Sequence, residues 1–362
     1  MKIVVTGTHF TTALAVIEEL KKYNAEVVYV GRASTQEGDS SPSAESQVLP
    51  KNRVKFLPII AGRLQRMFTI YTIPALLKLP VGFFQSFKII LLEKPDVILS
   101  FGGYISVPVV IMAWFFSIPV IIHEQTLVTG LANKINSLFA NKVAISFSES
   151  GLKGEKVVLT GNPIKKAISL GVNVRHTGSV PASHLRIPTI LVTGGNQGSH
   201  VINLAVEECL DKLTKIAHVI HQTGDSKFRD YERLVVRGND GYKVMKWIPN
   251  MADVMKKADL VVSRAGINTL SELAYLEKPA LVIPYPYLYQ DEQNKNAEYF
   301  EKLGLVRILP QNKLNSELLL KAIKSCLNDL NHFNKVAIRE NAKKFSKENF
   351  MINFKQTVAS LG

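Results

Sequence analysis

A chain of 362 residues exceeds the usual span of one hydrophobic core, so two domains are expected. Hydrophobic residues make up 46% and charged residues 20%, which excludes a disordered chain, and two cysteines are too few for a disulfide or metal framework. The net charge of +14 is uneven: residues 46–92 carry seven Lys or Arg and no Asp or Glu.

In chain order, the opening "MKIVVTGTHF" has one lysine and no long apolar stretch, so it reads as a strand and not as a secretory leader. "KIVVTG" leads into the helical pattern "TTALAVIEELKKY" and then the strand "AEVVYVG". In residues 46–92, Phe56, Phe68, Tyr71, Phe83, Phe84 and Phe87 interleave with the basic residues. Basic residues rimming apolar ones suit an anionic membrane surface, or else a solvated basic helix pair whose apolar residues are core. No nucleic-acid motif accompanies the charge, so no nucleic-acid partner is expected. Residues 97–123 contain no charged side chain, but Gly102, Gly103, Pro108 and Pro119 divide them into strand, loop, short helix and strand, each too short to span a bilayer.

After "KVVLTGNP" periodicity fades through residues 173–188, the expected linker region. Alternation then restarts with "TILVTGG", "SHVINLAVEECLDKL", "AHVIHQTG", "DLVVSRAG", "TLSELAYLE" and "PALVIPYP". Strands alternating with helices predict parallel sheets. "IVVTG" and "ILVTG" open the two halves alike, which implies two Rossmann-like α/β domains facing a cleft, with ligands beyond the carboxyl ends of the strands. The boundaries expected are 1–163, a linker region over 164–187, and 188–344, with a basic amphipathic helix over 345–362 returning to the first domain. Cys209 and Cys326 fall in apolar helical patterns and read as core residues.

Three loops at strand ends open helices: "TGTH" with Gly7, Thr8 and His9; "SFGGYISVP" with Gly102, Gly103 and Tyr104; and "TGGNQGSH" with Gly194, Gly195, Asn196, Gln197 and Gly198. Glycines there let backbone N–H groups approach a phosphate at a helix start. None fits the dinucleotide or Walker A pattern. A helix start disfavours added positive charge, and a neutral imidazole can take a hydroxyl proton, so His9 is a candidate base or simply a polar helix end. His123, ending an apolar strand, reads as structural. In "VVSRAGINTLSE", Thr269 and Glu272 spell a capping box. The other reading gives Gly266, Ile267, Asn268 and Thr269 a phosphate and Glu272 a sugar hydroxyl. These residues leave the two readings level.

Taken in order, "THFTTALAVIEEL", "KPDVILSFGGYISVP", "SIPVIIHEQT", "LTGNPIKK", "ILVTGGNQGS", "VVSRAGINTLSEL" and "DEQNKNA" resemble the MurG family over residues 1 to about 300. These enzymes add N-acetylglucosamine to the lipid-linked muramyl-pentapeptide of bacterial cell-wall synthesis. The resemblance implies a GT-B fold and an inverting glycosyltransferase with no cofactor or metal. UDP-N-acetylglucosamine is the implied donor and a polyprenyl-diphosphate-linked muramyl-peptide the implied acceptor.

It implies that Glu272 binds ribose and that Gly266 to Thr269 hold the diphosphate. Gly194, Gly195, Asn196 and Gln197 would form the donor loop, with Asn196 in the usual place of serine. Ile248, beside Trp247, would meet uracil through its backbone, and Gln293 and Asn296 would read the sugar. His9 matches the base, and Gly7, Thr8, Gly102, Gly103 and Tyr104 the acceptor-diphosphate loops. Glu124 and Thr126 lie on the acceptor side. The first loop is shorter than the family's, Thr12 replaces a proline, Thr126 an asparagine, and Glu292 a His or Gln. Lys165 replaces an arginine, keeping the charge without the bidentate fork.

No Asp-x-Asp pair occurs in the chain, so the leaving diphosphate is expected to rely on helix N-termini and Lys165. The implied location is the cytoplasmic face of the membrane, held peripherally through residues 46–92. The rival readings are a lipid galactosyltransferase or UDP-N-acetylglucosamine epimerase of the same fold, or a non-catalytic sugar-nucleotide-binding scaffold.

Overall fold

The computed structural model describes residues 1–34, 42–62, 72–164, 186–195, 197–225, 228–330, 333 and 356. The chain divides into two compact units, the described residues up to 164 with Gln356 in one and residues 186–333 in the other. Most of the expected linker, and the expected returning helix apart from Gln356, lie outside the described residues.

The first unit runs β1 (Lys2–Thr6), α1 (Phe10–Leu20), β2 (Glu26–Gly31), α2 (Ala44–Lys51), β3 (Lys55–Pro58), α3 (Thr72–Glu93), β4 (Val97–Ser100), α4 (Ser106–Phe115), β5 (Val120–Glu124), α5 (Leu131–Phe139), β6 (Lys142–Ile145) and β7 (Val157–Leu159). Its seven strands are ordered β3-β2-β1-β4-β5-β6-β7, and every pair is parallel. Alternate strand residues feed two cores. Ile3, Val5, Tyr29, Leu99 and Ile121 pack with Leu14 and Ile17 of α1 on one face. Val4, Val28, Val30, Ile98 and Ile122 pack with Val109, Val110 and Ala113 of α4 on the other. Burial on both faces is why these strands read as unbroken apolar runs.

The uncharged stretch 97–123 resolves into β4, α4 and β5, with Pro108 in the first turn of α4. Among the described residues no helix is long and apolar enough to cross a membrane.

The second unit runs β8 (Thr189–Thr193), α6 (His200–Leu213), β9 (His218–Gln222), α7 (Asp230–Val235), β10 (Tyr242–Met245), α8 (Met251–Lys257), β11 (Leu260–Ser263), α9 (Ile267–Tyr275), β12 (Ala280–Val282), α10 (Glu292–Lys302), β13 (Val306–Ile308) and α11 (Ser316–Asn328). Its order, β10-β9-β8-β11-β12-β13, repeats the first six strands of the other sheet, again all parallel. Both units are therefore Rossmann-like. Asn315 caps α11 by accepting from the Leu318 N–H at 2.8 Å. Cys209 on α6 and Cys326 on α11 are buried free thiols, which burial pushes up to about 11.

In each sheet the strand order reverses beside the first strand. β1 pairs with β4 in the register Thr6↔Ser100, and β8 pairs with β11 in the register Thr193↔Ser263. The loops leaving each pair thus emerge side by side at the carboxyl edge, where such sheets bind ligands.

Two buried histidines make stability depend on pH. Burial pushes His123 down to about 4 and His221 down to about 3, from an ordinary 6.5. Between those values the unfolded chain binds protons that the folded chain refuses. Stability is therefore full above 6.5 and falls as the pH drops toward 4. At pH 5 each domain is expected to be less stable than at pH 7 by about 2 kcal/mol for its histidine. Urea unfolding at the two pH values checks this, and equal midpoints would refute it.

Candidate functional site

In the first unit the loops after β1 and β4 interlock through their backbones. Thr8 N–H donates to the Gly102 carbonyl at 2.9 Å, and Phe101 N–H donates to the Thr6 carbonyl at 2.7 Å. Gly7 has φ +139°, and a Cβ on it would lie 2.8 Å from the Phe101 carbonyl carbon. A Cβ on Gly103, at φ +82°, would fall 2.0 Å from Thr8 Oγ1. These glycines are there because the two chains approach too closely for a side chain.

His9 occupies the N-cap of α1, and its side chain makes no cap hydrogen bond. Its Nδ1 lies 2.7 Å from the Phe101 carbonyl oxygen. A carbonyl can only accept, so Nδ1 carries a proton, and in the neutral ring Nε2 keeps its lone pair. The ring is thereby fixed in the tautomer a base requires. Tyr104 is half-buried in the turn before α4.

Glu124 and Thr126 have a different place from the other acceptor-side residues. Glu124 is 2% exposed. Its Oε1 accepts from the Thr126 N–H at 3.0 Å and the Thr126 hydroxyl at 2.8 Å. Its Oε2 accepts from the Gly130 N–H at 3.2 Å and Asn133 Nδ2 at 3.0 Å. With four donors around it, the carboxylate holds the loop after β5 in shape. The Thr126 hydroxyl also lies 2.7 Å from the Val128 carbonyl. Sequence reasoning missed Asn133, which bonds the His123 carbonyl at 3.1 Å and packs under Gly102. Its helical spacing carried no sign of that contact. His123 is buried, with Nε2 3.1 Å from the Gly161 carbonyl, as a structural residue would be.

In the second unit the Gly-rich loop after β8 is locked against the turn after β9. A Cβ on Gly198, at φ +73°, would stand 1.8 Å from the Thr223 carbonyl oxygen. Gly194 has the Ser199 N within 2.3 Å of where its Cβ would be. Gln222, buried and unforeseen from sequence, donates from Nε2 to the Gly195 carbonyl at 3.0 Å and accepts from the Ile248 N–H at 2.9 Å. The Ile248 amide is thus already bonded within the protein, and Trp247 beside it is exposed. Gln197 is exposed, while Lys165 and Asn196 lie outside the described residues.

The capping box is not formed. α9 begins at Ile267 with Gly266 as N-cap and no side-chain cap. Thr269 is inside the helix and the half-buried Glu272 lies a turn further on. The helix starts three residues earlier than a Thr269 cap would require. Asn268 and Thr269 are half-buried in that first turn, and Ile267 is buried.

Around this start, Arg264 donates from Nη2 to Ser199 Oγ at 2.7 Å and from Nη1 to the Ile283 carbonyl at 3.0 Å. Its guanidinium lies over the Tyr285 ring, 5.5 Å from the centroid. Among the described residues no carboxylate forms an ion pair with it. Burial works against its charge, yet arginine stays protonated at neutral pH.

Gln293 Oε1 accepts from the Tyr285 N–H at 2.8 Å. Asn296 is wholly buried and donates to the Ala265 carbonyl at 3.2 Å, which makes it a support of the β11–α9 turn. A cavity of about 300 Å³ is lined by Gly194, Gly198, Ser199, Arg264, Tyr285 and Gln293, together with His200 and Val201. Of the expected donor residues, Gly194 and Gln293 face it. Arg264 stood in the sequence as a lone cation after an apolar strand, and only strand order brings it to Ser199. Among the described residues no group of three His, Cys, Asp or Glu is placed to hold a metal ion.

The sequence matches the glycosyltransferase family 28 N-terminal domain over residues 3–145 and the glycosyltransferase family 28 C-terminal domain over residues 189–358. A Clostridium botulinum (strain Hall) protein named UDP-N-acetylglucosamine–N-acetylmuramyl-(pentapeptide) pyrophosphoryl-undecaprenol N-acetylglucosamine transferase is 35% identical over 330 residues. That alignment covers 89% of this chain and 90% of the relative. The Clostridium kluyveri protein of the same name is 36% identical over 331 residues, covering 89% and 90%.

Among solved structures, Acinetobacter baumannii MurG has a TM-score of 0.69 at 23% identity, covering 100% of this chain and 99% of that one. Neisseria meningitidis UDP-GlcNAc 2-epimerase, bound to UDP-GlcNAc, has a TM-score of 0.67 at 16% identity, covering 99% and 100%. At these identities the structural likeness carries the GT-B fold alone.

Proposed function

This chain belongs to glycosyltransferase family 28, among its MurG-type transferases, and from that premise we propose how its two domains divide the reaction. The enzyme moves N-acetylglucosamine from UDP-N-acetylglucosamine to the 4-hydroxyl of the lipid-linked N-acetylmuramyl-pentapeptide in peptidoglycan synthesis. The first domain takes the acceptor, with Gly7, Thr8, Gly102, Gly103 and Tyr104 around its diphosphate. Glu124, Thr126 and Asn133 keep the neighbouring loop in shape. The second domain takes the donor. Gly194 to Gln197, the uncapped start of α9 and Lys165 meet its diphosphate, while Glu272 receives the ribose hydroxyls.

One observation carries the chemistry. The Nδ1–H of His9 is held by the Phe101 carbonyl at 2.7 Å, which leaves Nε2 to accept a proton. The muramyl 4-hydroxyl oxygen bonds to C1 of the sugar as the C1–O bond to the β-phosphate breaks. The hydroxyl proton passes to His9 Nε2, and UDP departs with inversion at C1. Helix N–H groups and the Arg264 guanidinium favour the charge that grows on the leaving phosphate.

The membrane contact is assigned to α3 and its neighbour α4. α3 exposes Ile73, Leu77, Val81, Phe84, Leu91 and Leu92, and Lys88 sits over the Phe84 ring at 4.5 Å. α4 adds the exposed Trp114 and Phe115. An apolar face with attached lysines suits an anionic bilayer surface, entered from the cytoplasmic side. Arg63, Arg66, Phe68 and Tyr71 of the basic segment lie outside the described residues.

The test is transfer from UDP-N-acetylglucosamine to a lipid-linked muramyl-peptide carried in vesicles. UDP and the disaccharide-linked lipid are expected, with UDP-N-acetylgalactosamine inert. In anionic vesicles the rate should fall as salt rises. Epimerised sugar nucleotide with no transfer would sink the reading, and equal rates in neutral and anionic vesicles would remove the membrane assignment.

A further inference from the structure

Beside the glycine loop of the second domain stands a histidine that the reaction above does not use. His200 is the first residue of α6, and it lines the cavity with Arg264, Gly194 and Gly198. Its Nδ1 lies 2.7 Å from Asp230 Oδ1, at the start of α7. Asp230 is 1% exposed and also accepts from Arg233 Nη2 at 2.8 Å and from Asn203 Nδ2 at 2.9 Å. Burial would favour the neutral acid, but these three donors outweigh it and hold the carboxyl below its ordinary range. An ionised carboxylate accepts only, so Nδ1 of His200 is the donor.

The Phe228 ring stacks on the imidazole with centroids 4.0 Å apart and planes 10° from parallel, which restrains the ring's rotation. With one edge held by Asp230 and one face covered, the ring's remaining polar atom is Nε2. An imidazolium donates from both ring nitrogens, so a ring bonded to Asp230 through Nδ1 could bond a phosphate oxygen through Nε2. Arg264, which no carboxylate pairs among the described residues, lines the same cavity, so the site suits an anion.

A purely structural role explains less. Asp230 also accepts from Arg233 and Asn203, and α6 is already tied to α7 by the Arg233–Glu207 ion pair at 2.7 Å and the Asn203–Asp230 bond.

We propose that His200, oriented by Asp230, is a further donor-site residue whose Nε2 meets the phosphates of the bound uridine nucleotide. This rests on the donor reading of the second domain. Asp230 acts through His200 as a positioning residue.

The test compares binding of UDP and of uridine by calorimetry. His200→Asn keeps a donor toward Asp230 and removes Nε2. It is expected to weaken UDP by about ten-fold or more, with uridine changed by less than about two-fold and thermal unfolding unchanged. His200→Gln places an amide near the lost Nε2 and should recover part of the UDP affinity. Asp230→Asn should weaken UDP selectively, and combined with His200→Asn should add little. If Asp230→Asn does not fold, the two His200 variants carry the test. Wild-type UDP affinity in His200→Asn, or equal losses of UDP and uridine, would overturn the proposal. Failure of the unaltered enzyme to bind either nucleotide would instead defeat the donor reading beneath it.

Discussion

Replacing His9 by asparagine is expected to lower turnover by about 10²–10⁴-fold, the usual worth of a general base, with UDP binding unchanged. Asparagine can still donate to the Phe101 carbonyl, so the contact between the loops after β1 and β4 survives. What disappears is Nε2, the lone pair left over once Nδ1 is committed to that carbonyl. A residue that only latched the loop would tolerate this change, whereas a base would not. The measurement is kcat at saturating donor and acceptor, beside UDP affinity and the unfolding midpoint. Turnover within about ten-fold of the unaltered enzyme would remove His9 from the base's role. A fall accompanied by unfolding would point to the latch.

Gly198→Ala is expected to cost the second domain more than about 4 kcal/mol, the range in which a named backbone clash is the cause. The added Cβ would meet the Thr223 carbonyl oxygen at 1.8 Å, and φ is +73°. The opposing chain cannot yield, because Gly224 itself sits at φ +75° with the Gly198 N 2.4 Å from where its Cβ would be. Two backbones cross here with no side chain between them. Gly195 and Gly266 serve as controls. Gly195 has φ +81° but nothing within 4 Å of its Cβ position, so alanine costs about 1–2 kcal/mol for the backbone conformation alone. Gly266 has φ −70° and equally open space, so alanine there should be near neutral for stability. Denaturant midpoints for the three variants give the ranking. A Gly198→Ala no worse than Gly195→Ala would contradict the crossing.

The glycines show how far a sequence can be read. All of them were visible as breaks between apolar strands and amphipathic helices, and their number at strand ends suggested phosphate loops. Which have a backbone against them and which face open space was not visible, because the obstructing atoms belong to other strands. The opening of α9 is similar. Thr269 and Glu272 have capping-box spacing, yet the helix starts at Ile267, where the backbone turns after β11. Spacing alone cannot say where a helix begins when a glycine upstream permits an earlier start.

Glu124 illustrates the same limit from the acceptor side. The family resemblance alone put it on the acceptor side. In the fold both oxygens are taken by Thr126, Gly130 and Asn133, and the side chain is buried. Ile248, expected to use its backbone on uracil, has its amide bonded to Gln222. Asn296, expected at the sugar, supports the turn before α9.

What the sequence determined by itself was everything local or repeated: two runs of alternating strand and helix, all-parallel sheets, glycine loops at their ends, and a family whose motifs recur in order. Hydrophobic periodicity is written residue by residue, so it survives without coordinates. What only the tertiary structure decided was partnership. The setting of Arg264 against Ser199, of His200 against Asp230, and of His9 against Phe101 spans 65, 30 and 92 residues of chain. Those meetings follow from the reversal of strand order beside β1 and β8 and from close packing between layers. A one-dimensional pattern carries no record of which strand becomes whose neighbour.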